Sequence, residues 1–279
     1  MGRPLIFITN DDGIHSPGLV AAVETARLYG DVLVAAPTSQ QTASGRGMFG
    51  DRSDVFHTIE LPLNSDETRK VGSVNAWHID ASPALVVQHG LAVLCIDSMP
   101  DLVVSGINYG ENVSTDIGAS GTVGSAFEAA AHGIPAIAVS RQTTVENHFS
   151  YGEVDWTDAQ RVLGQWIHRV LHDHPRPERS DRVASPLAVL KIDIPDPCPE
   201  GTEERLTQMA QRKYLTFKLK DPQWNTPIQE TTVHIDVDPA DYQPQDDVYA
   251  VAVDGVVAVT PLSFDWTVRD EAILRHLQR

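Results

Sequence analysis

Two adjacent carboxylates, Asp11 and Asp12, follow a short apolar run from Leu5 to Thr9 in the order Asn10-Asp11-Asp12-Gly13. The same residue types build ordinary turns. Neighbouring like charges at the end of a buried strand are costly unless a cation or a set of donors compensates them, and that favours a metal. Thr42 lies in the polar stretch after the second apolar run, and Asn108 follows the run that starts at Leu102. With Asp11 and Asp12 these residues make an all-oxygen set, which suits magnesium, manganese or calcium. Ser120-Gly121-Thr122 stands directly before a helix-like segment. There, hydroxyls and backbone N–H groups at the positive end of a helix dipole accept an anion, although the same tripeptide also serves as a plain N-cap. His15 reads first as a loop histidine with a local hydrogen bond, and proton transfer is its second role. The chemistry to expect is a phosphate held beside a hard cation.

The elements that must position these groups alternate along the chain. Leu5 to Thr9 and Asp31 to Ala36 are short buried strands, and Ser16-Pro17 opens a helix between them that Gly30 closes. Val55 to Leu61 and Val74 to Ile79 are less regular, and Ala84 to Cys95 has helical spacing. Leu102-Val103-Val104 is a strand expected to end in the turn Ser105-Gly106-Ile107-Asn108, followed by a polar loop, a helix ending near Gly133-Ile134-Pro135, and a strand from Ala136 to Val139. Strands alternating with helices indicate an α/β, doubly wound, mostly parallel sheet. Ligands of such sheets bind beyond the carboxyl ends of the strands, where strand order reverses, and the polar clusters follow strand ends.

Trp156 to His172 has the period of an amphipathic helix, Asp173 to Arg182 is a charged connector, and Leu187 to Ile194 returns to strand. Short β-like runs follow at Tyr214 to Leu219 and Thr231 to Val237, then a strand-like Val248 to Thr260 and a terminal helix from Asp270 to Gln278. The expected organisation is a catalytic core over 1–195, a β-rich extension over 196–245 that serves oligomerisation, and a strand and helix over 246–279 that return to the core.

The chain has 279 residues and a formal net charge of −17. That charge gives no support for binding duplex nucleic acid or an anionic membrane, both of which need clustered Lys and Arg. Cys95 and Cys198 are far apart, so neither a disulfide framework nor a zinc site is indicated, and a reducing compartment is expected. The strand pattern begins just after Arg3-Pro4, no apolar stretch reaches the length of a membrane span, and the cytoplasm is the expected location. No Gly-x-Gly-x-x-Gly follows the first strand and no P-loop occurs, which argues against dinucleotide oxidoreductases and ATP-driven enzymes.

Taken in order, Asn10-Asp11-Asp12-Gly13 with His15-Ser16-Pro17-Gly18, Ala36-Pro37, Ser105-Gly106-Ile107-Asn108, Ser120-Gly121-Thr122-Val123-Gly124 and Thr260-Pro261-Leu262 with Asp265 resemble the SurE survival-protein family. The resemblance implies a Rossmann-like core with a C-terminal β-rich extension that forms a homodimer or homotetramer. It also implies metal-dependent hydrolysis of nucleoside 5'- and 3'-monophosphates, and in some members of short polyphosphate. By motif position the ligands of one divalent ion per subunit, magnesium or manganese, are Asp11, Asp12, Thr42 and Asn108. Asp11, Asp12, Asp116 and Asp265 are the catalytic candidates, and Asn10, Gly13, His15, Ser120, Gly121 and Thr122 the phosphate or substrate candidates.

The chain departs from the family pattern at four places. Thr42 stands for a common Ser, Ala81-Ser82-Pro83-Ala84-Leu85-Val86 replaces a Gly-Thr-Pro-x-Asp-Cys pattern, Ala119 replaces a Tyr, and Arg269 stands where a His is frequent. The competing readings are a nucleotide- or phosphate-binding protein without turnover and a receiver-like signalling module. A receiver needs a phosphate-accepting Asp at a central strand end, and Ser105 to Asn108 contains none.

Overall fold

A computed structural model describes residues 2–64, 71–148, 150–172, 187–267 and 269. The connector from Asp173 to Arg182 and the expected helix from Asp270 to Gln278 lie outside the described residues.

The first strand, β1 (Leu5–Thr9), is followed by α1 (Pro17–Ala26), β2 (Asp31–Pro37), β3 (His57–Ile59), β4 (Val74–Ile79) and α2 (Pro83–Val93). Then come β5 (Leu102–Tyr109), α3 (Gly121–Ala131), β6 (Ala136–Arg141), α4 (Thr157–His172) and β7 (Val189–Ile194). The remaining strands are β8 (Glu204–Leu206), β9 (Leu215–Lys218), β10 (Thr232–Ile235) and β11 (Val257–Leu262). A nine-stranded sheet runs in the order β3-β4-β2-β1-β5-β6-β7-β11-β8, and β9 and β10 form a separate antiparallel pair. Among the described residues, β3 on β4 and β11 on β7 pair antiparallel within the large sheet, and its other neighbours pair parallel.

The alternation in β1 shows why the sheet is buried on both faces. Ile6 and Ile8 pack with Leu19, Ala22, Leu163 and Ile167 of α1 and α4, while Phe7 packs with Val86, Val87, Ala126 and Ala129 of α2 and α3. Strand order reverses between β1 and β5, with Thr9 beside Ser105, so the carboxyl ends of these two strands open the cleft that such sheets use for ligands.

Two stretches differ from the pattern expected of them. Ser105-Gly106-Ile107-Asn108 is not a turn after β5 but part of the strand, which carries an irregular register against β6 between Ser105 and Asn108. Its glycine and asparagine signal a turn locally, and pairing with β6 overrides that signal. The first half of Val248 to Thr260 coils as a helical turn at Tyr249–Val253, and only Val257 onward is strand, because Gly255 at φ +63° separates them.

A buried ionic hub ties the second half of the chain to the cleft. Lys191 of β7 is fully buried between Asp193, which it contacts closely, and Asp247 at 3.1 Å. Burial alone would lower its pKa, but the two carboxylates hold the ammonium charged, above its ordinary value. Asp193 also accepts from the Asn112 N–H at 2.7 Å, and Asp247 from Ser114 N–H at 3.1 Å and Ala210 N–H at 3.0 Å. Among the described residues, no helix is long and apolar enough to cross a membrane.

Candidate active site

The turn after β1 is shaped by Asn10. Its Oδ1 accepts from Gly13 N–H at 3.1 Å and its Nδ2 donates to the Gly13 carbonyl at 3.0 Å, so both ends of the amide are engaged in closing the turn. Gly13 sits at φ +99°, where a side chain would strain the backbone and a Cβ would meet Ser39 at 3.0 Å. The turn holds Asp11 and Asp12 at 7% and 3% exposure, nearly sealed from bulk water.

Asp11 faces the start of α3. The Thr122 hydroxyl donates closely to Asp11 Oδ1, and the backbone N–H groups of Gly121 and Thr122 are also favourable to its charge. Ser120 caps the helix, its Oγ accepting from Val123 N–H at 3.1 Å. Gly121 is required by space: a Cβ there would lie 2.4 Å from Ser44 Oγ and 2.7 Å from Asp11 Cβ. Among the described residues, the buried Ser44 hydroxyl has no hydrogen-bond partner. No local sequence pattern marks it, and only its proximity to Gly121 and Asp11 does.

Asp12 accepts from Gln40 Nε2 at 3.2 Å and from Tyr109 N–H at 3.3 Å. Burial, then the neighbouring Asp11 charge, push its pKa up to about 8, and burial raises that of Asp11. Among the described residues, neither carboxylate has a Lys, Arg or His ion-pair partner, so the pair needs a cation to stay ionised at neutral pH. Asn108 spends its Nδ2 on the carbonyls of Tyr109 and Gly110, at 3.1 and 2.7 Å, which leaves Oδ1 as its free acceptor. Two buried carboxylates and a free amide oxygen fit a hard divalent ion. Among the described residues, no group of three or more His, Cys, Asp or Glu converges to hold one, so an ion held here would take neutral oxygens as its remaining ligands.

Thr42 is exposed on a loop whose preceding residue, Gln41, donates its N–H to the Asp11 carbonyl at 2.7 Å. That bond brings the loop to the carboxylates. His15 is exposed on the β1 turn. Asp116 and Asp265 are occupied differently. Asp116 accepts from Tyr214 and Leu215 N–H groups, both at 2.8 Å, and lies 3.3 Å from Lys213. Asp265 is exposed and binds Thr267 N–H at 3.1 Å and Arg269 at 2.6 Å. These contacts unite Asp11 with Thr122 and Gly121, and Asp12 with the Tyr109 backbone beside Asn108, while Asp116 binds the backbone at Tyr214 and Leu215.

Aromatic side chains border this cluster. Tyr151 donates its hydroxyl to the Asp12 carbonyl at 2.6 Å, and its ring packs on that of Tyr109. Trp156 meets Tyr109 edge-on at 4.8 Å.

A family model described as Survival protein SurE matches residues 6–216. The chain belongs to this family. Among SurE relatives, the protein named 5'-nucleotidase SurE from Methanocella arvoryzae is 34% identical, with 96% of this chain and 95% of that protein covered. The protein of the same name from Thermococcus gammatolerans is 35% identical over 95% of this chain and 91% of its own length. The one from Methanopyrus kandleri is 40% identical over 75% of this chain and 73% of its own length. The crystal structure of the SurE protein from Aquifex aeolicus superimposes with a TM-score of 0.73 at 26% identity, covering 99% of this chain and 100% of that one. The Rossmann-like, mostly parallel sheet expected from the sequence is thus the SurE fold, and SurE membership displaces the receiver-like alternative.

Proposed function

We propose that the chain is a metal-dependent nucleotidase that hydrolyses nucleoside 5'- and 3'-monophosphates to nucleoside and phosphate. The observation that carries this reading is the Asp11–Asp12 pair, buried at the switch point with no cationic partner among the described residues and set against the N-terminus of α3. The relatives named 5'-nucleotidase SurE support the substrate class.

Asp11, Asp12, Asn108 Oδ1 and the Thr42 hydroxyl would hold one magnesium or manganese ion per subunit. When bound, such an ion polarises phosphoryl oxygens and lowers the pKa of a coordinated water. The Thr122 hydroxyl orients the Asp11 carboxylate, and Asn10 and Gly13 hold the turn that presents both acids. Ser120 Oγ accepts from Val123 N–H and keeps its own O–H for the transferred group, while the Gly121 and Thr122 N–H groups, turned to Asp11, lend the positive end of the helix to the charge that develops there. Because Asp116 and Asp265 are engaged elsewhere, we assign them no proton transfer. His15, on the same turn as the carboxylates, is our candidate for protonating the leaving oxygen.

We place the enzyme in the cytoplasm, consistent with two buried free cysteines. We also propose a homodimer or homotetramer assembled through the extension, where Trp224 and Ile228 are 97% and 92% exposed and Leu206 and Phe217 are largely exposed. A full-length monomer by light scattering at micromolar concentration would remove this assembly.

Phosphate release decides the function. It is measured from nucleoside monophosphates, sugar phosphates and short polyphosphate, with manganese, with magnesium and with excess chelator. Nucleotide hydrolysis that the chelator abolishes and either metal restores is the expected result. Full activity in chelator refutes the mechanism, and nucleotide binding without turnover makes the chain a binding protein.

A further inference from the structure

Three hydrogen bonds pin His148, Tyr151 and Gly152 beside the carboxylates. Tyr151 Oη donates to the Asp12 carbonyl at 2.6 Å, Gln40 Nε2 to the His148 carbonyl at 3.0 Å, and Tyr109 Oη to the Gly152 carbonyl at 3.4 Å. Gln40 also donates to the Asp12 carboxylate, and Tyr109 directly follows Asn108, so every anchor belongs to the candidate site itself.

The Tyr151 ring is held as firmly as its backbone. It stacks on Tyr109, centroids 5.8 Å apart and planes 27° from parallel, and Trp156 fixes Tyr109 from the edge. Tyr109 is buried at 3% exposure, yet Tyr151 remains 44% exposed. One ring face is therefore supported and the other meets solvent. Just beyond it, Gly152 to Trp156 and Pro17 line an open groove of about 570 Å³. Structural packing alone explains the covered face but gives no reason for a large aromatic to keep an open face one hydrogen bond from the backbone of Asp12.

We propose that the open face of Tyr151 is the platform on which the nucleobase of the substrate stacks while its phosphate lies at Asp11, Asp12 and the start of α3. The proposal rests on the nucleotidase reading above and adds the substrate class within it. A flat ring without edge-reading groups accepts any base and discriminates by π-surface, so purine nucleotides bind more tightly than pyrimidine nucleotides. A ring already ordered by Tyr109 and by its own hydroxyl gives this contact with little loss of side-chain entropy.

The test compares wild type, Tyr151→Ala and Tyr151→Phe on adenosine monophosphate, cytidine monophosphate and ribose 5-phosphate, the last carrying the ribose and phosphate but no base. In Tyr151→Ala, KM for adenosine monophosphate relative to that for ribose 5-phosphate should rise about tenfold or more, the size of a base–aromatic stack, and the purine preference should vanish. Tyr151→Phe should keep the wild-type ratio, because the ring and not the hydroxyl makes the contact. An unchanged ratio in Tyr151→Ala, or a loss in Tyr151→Phe as large as in Tyr151→Ala, overturns the platform while leaving nucleotide hydrolysis in place. Calorimetry with adenosine reads the platform without turnover. Adenosine binding that Tyr151→Ala abolishes, in a protein that hydrolyses no nucleotide, would sustain the platform and refute the nucleotidase.

Discussion

Replacing Asp12 by Asn is expected to move the metal-free and metal-loaded proteins in opposite directions. In the folded chain burial and the Asp11 charge push the Asp12 carboxyl up to about 8, from an ordinary value of 3.8. Between those values the folded protein holds a proton that the unfolded chain has released, so metal-free stability falls as pH rises through this window. Each pH unit there is worth about 1.4 kcal/mol, which at pH 7 amounts to about 4 kcal/mol at this one side chain. Relaxation and water entry into the cleft reduce this to about 2 kcal/mol. Asn has no charge to suppress and still offers an oxygen to the Tyr109 N–H. In chelator at pH 7, Asp12→Asn should therefore melt about 4 °C or more above wild type, with a flatter dependence on pH. Saturating manganese should raise the wild-type Tm and leave the variant nearly unmoved, and turnover should fall about 100-fold or more. Thermal unfolding between about pH 5 and 8.5, with chelator and with manganese, makes the comparison. A variant less stable than wild type in chelator across that range, or one that manganese still stabilises fully, refutes the argument that Asp12 is a buried charge awaiting a cation.

The other expectations concern the loop hydroxyl, the helix start and the ionic hub. Thr42→Ser should keep manganese affinity, whereas Thr42→Val, similar in shape but without the oxygen, should weaken it about tenfold or more; unchanged affinity in Thr42→Val removes this ligand. Gly121→Ala places a Cβ 2.7 Å from that of Asp11 and 2.4 Å from Ser44 Oγ, so turnover should drop about 100-fold with the fold retained, and near-native kinetics would show the helix start to be looser than described. Lys191→Met leaves the carboxylates of Asp193 and Asp247 buried without their ammonium and should cost about 3–5 kcal/mol in urea unfolding. A loss under about 1 kcal/mol would mean that the hub is not ionic.

Local pattern alone determined much of this protein. Apolar runs at Leu5–Thr9, Asp31–Pro37 and Val189–Ile194, and Ser-Pro or Ser-Gly signals ahead of α1 and α3, are short-range features that act the same way wherever the chain lies. Adjacent acids after the first strand mark the proposed site for the same reason, since their repulsion is written into neighbouring positions. Tertiary structure decided what those acids touch. Thr122 reads as a phosphate ligand in sequence, yet across 111 residues its hydroxyl goes to Asp11, and Asp116 turns to the backbone of Tyr214 and Leu215, 98 and 99 residues away. Ser44 and Tyr151 carry no local signal at all, since a loop serine and a loop tyrosine become site residues only when β1, β5 and the start of α3 converge. The same holds for β5 beyond Val104, where pairing with β6 keeps Ser-Gly-Ile-Asn in the strand. Periodicity and capping report the energetics of near neighbours. Which donor meets which carboxylate is set by strand order, and strand order depends on burying the whole sheet at once.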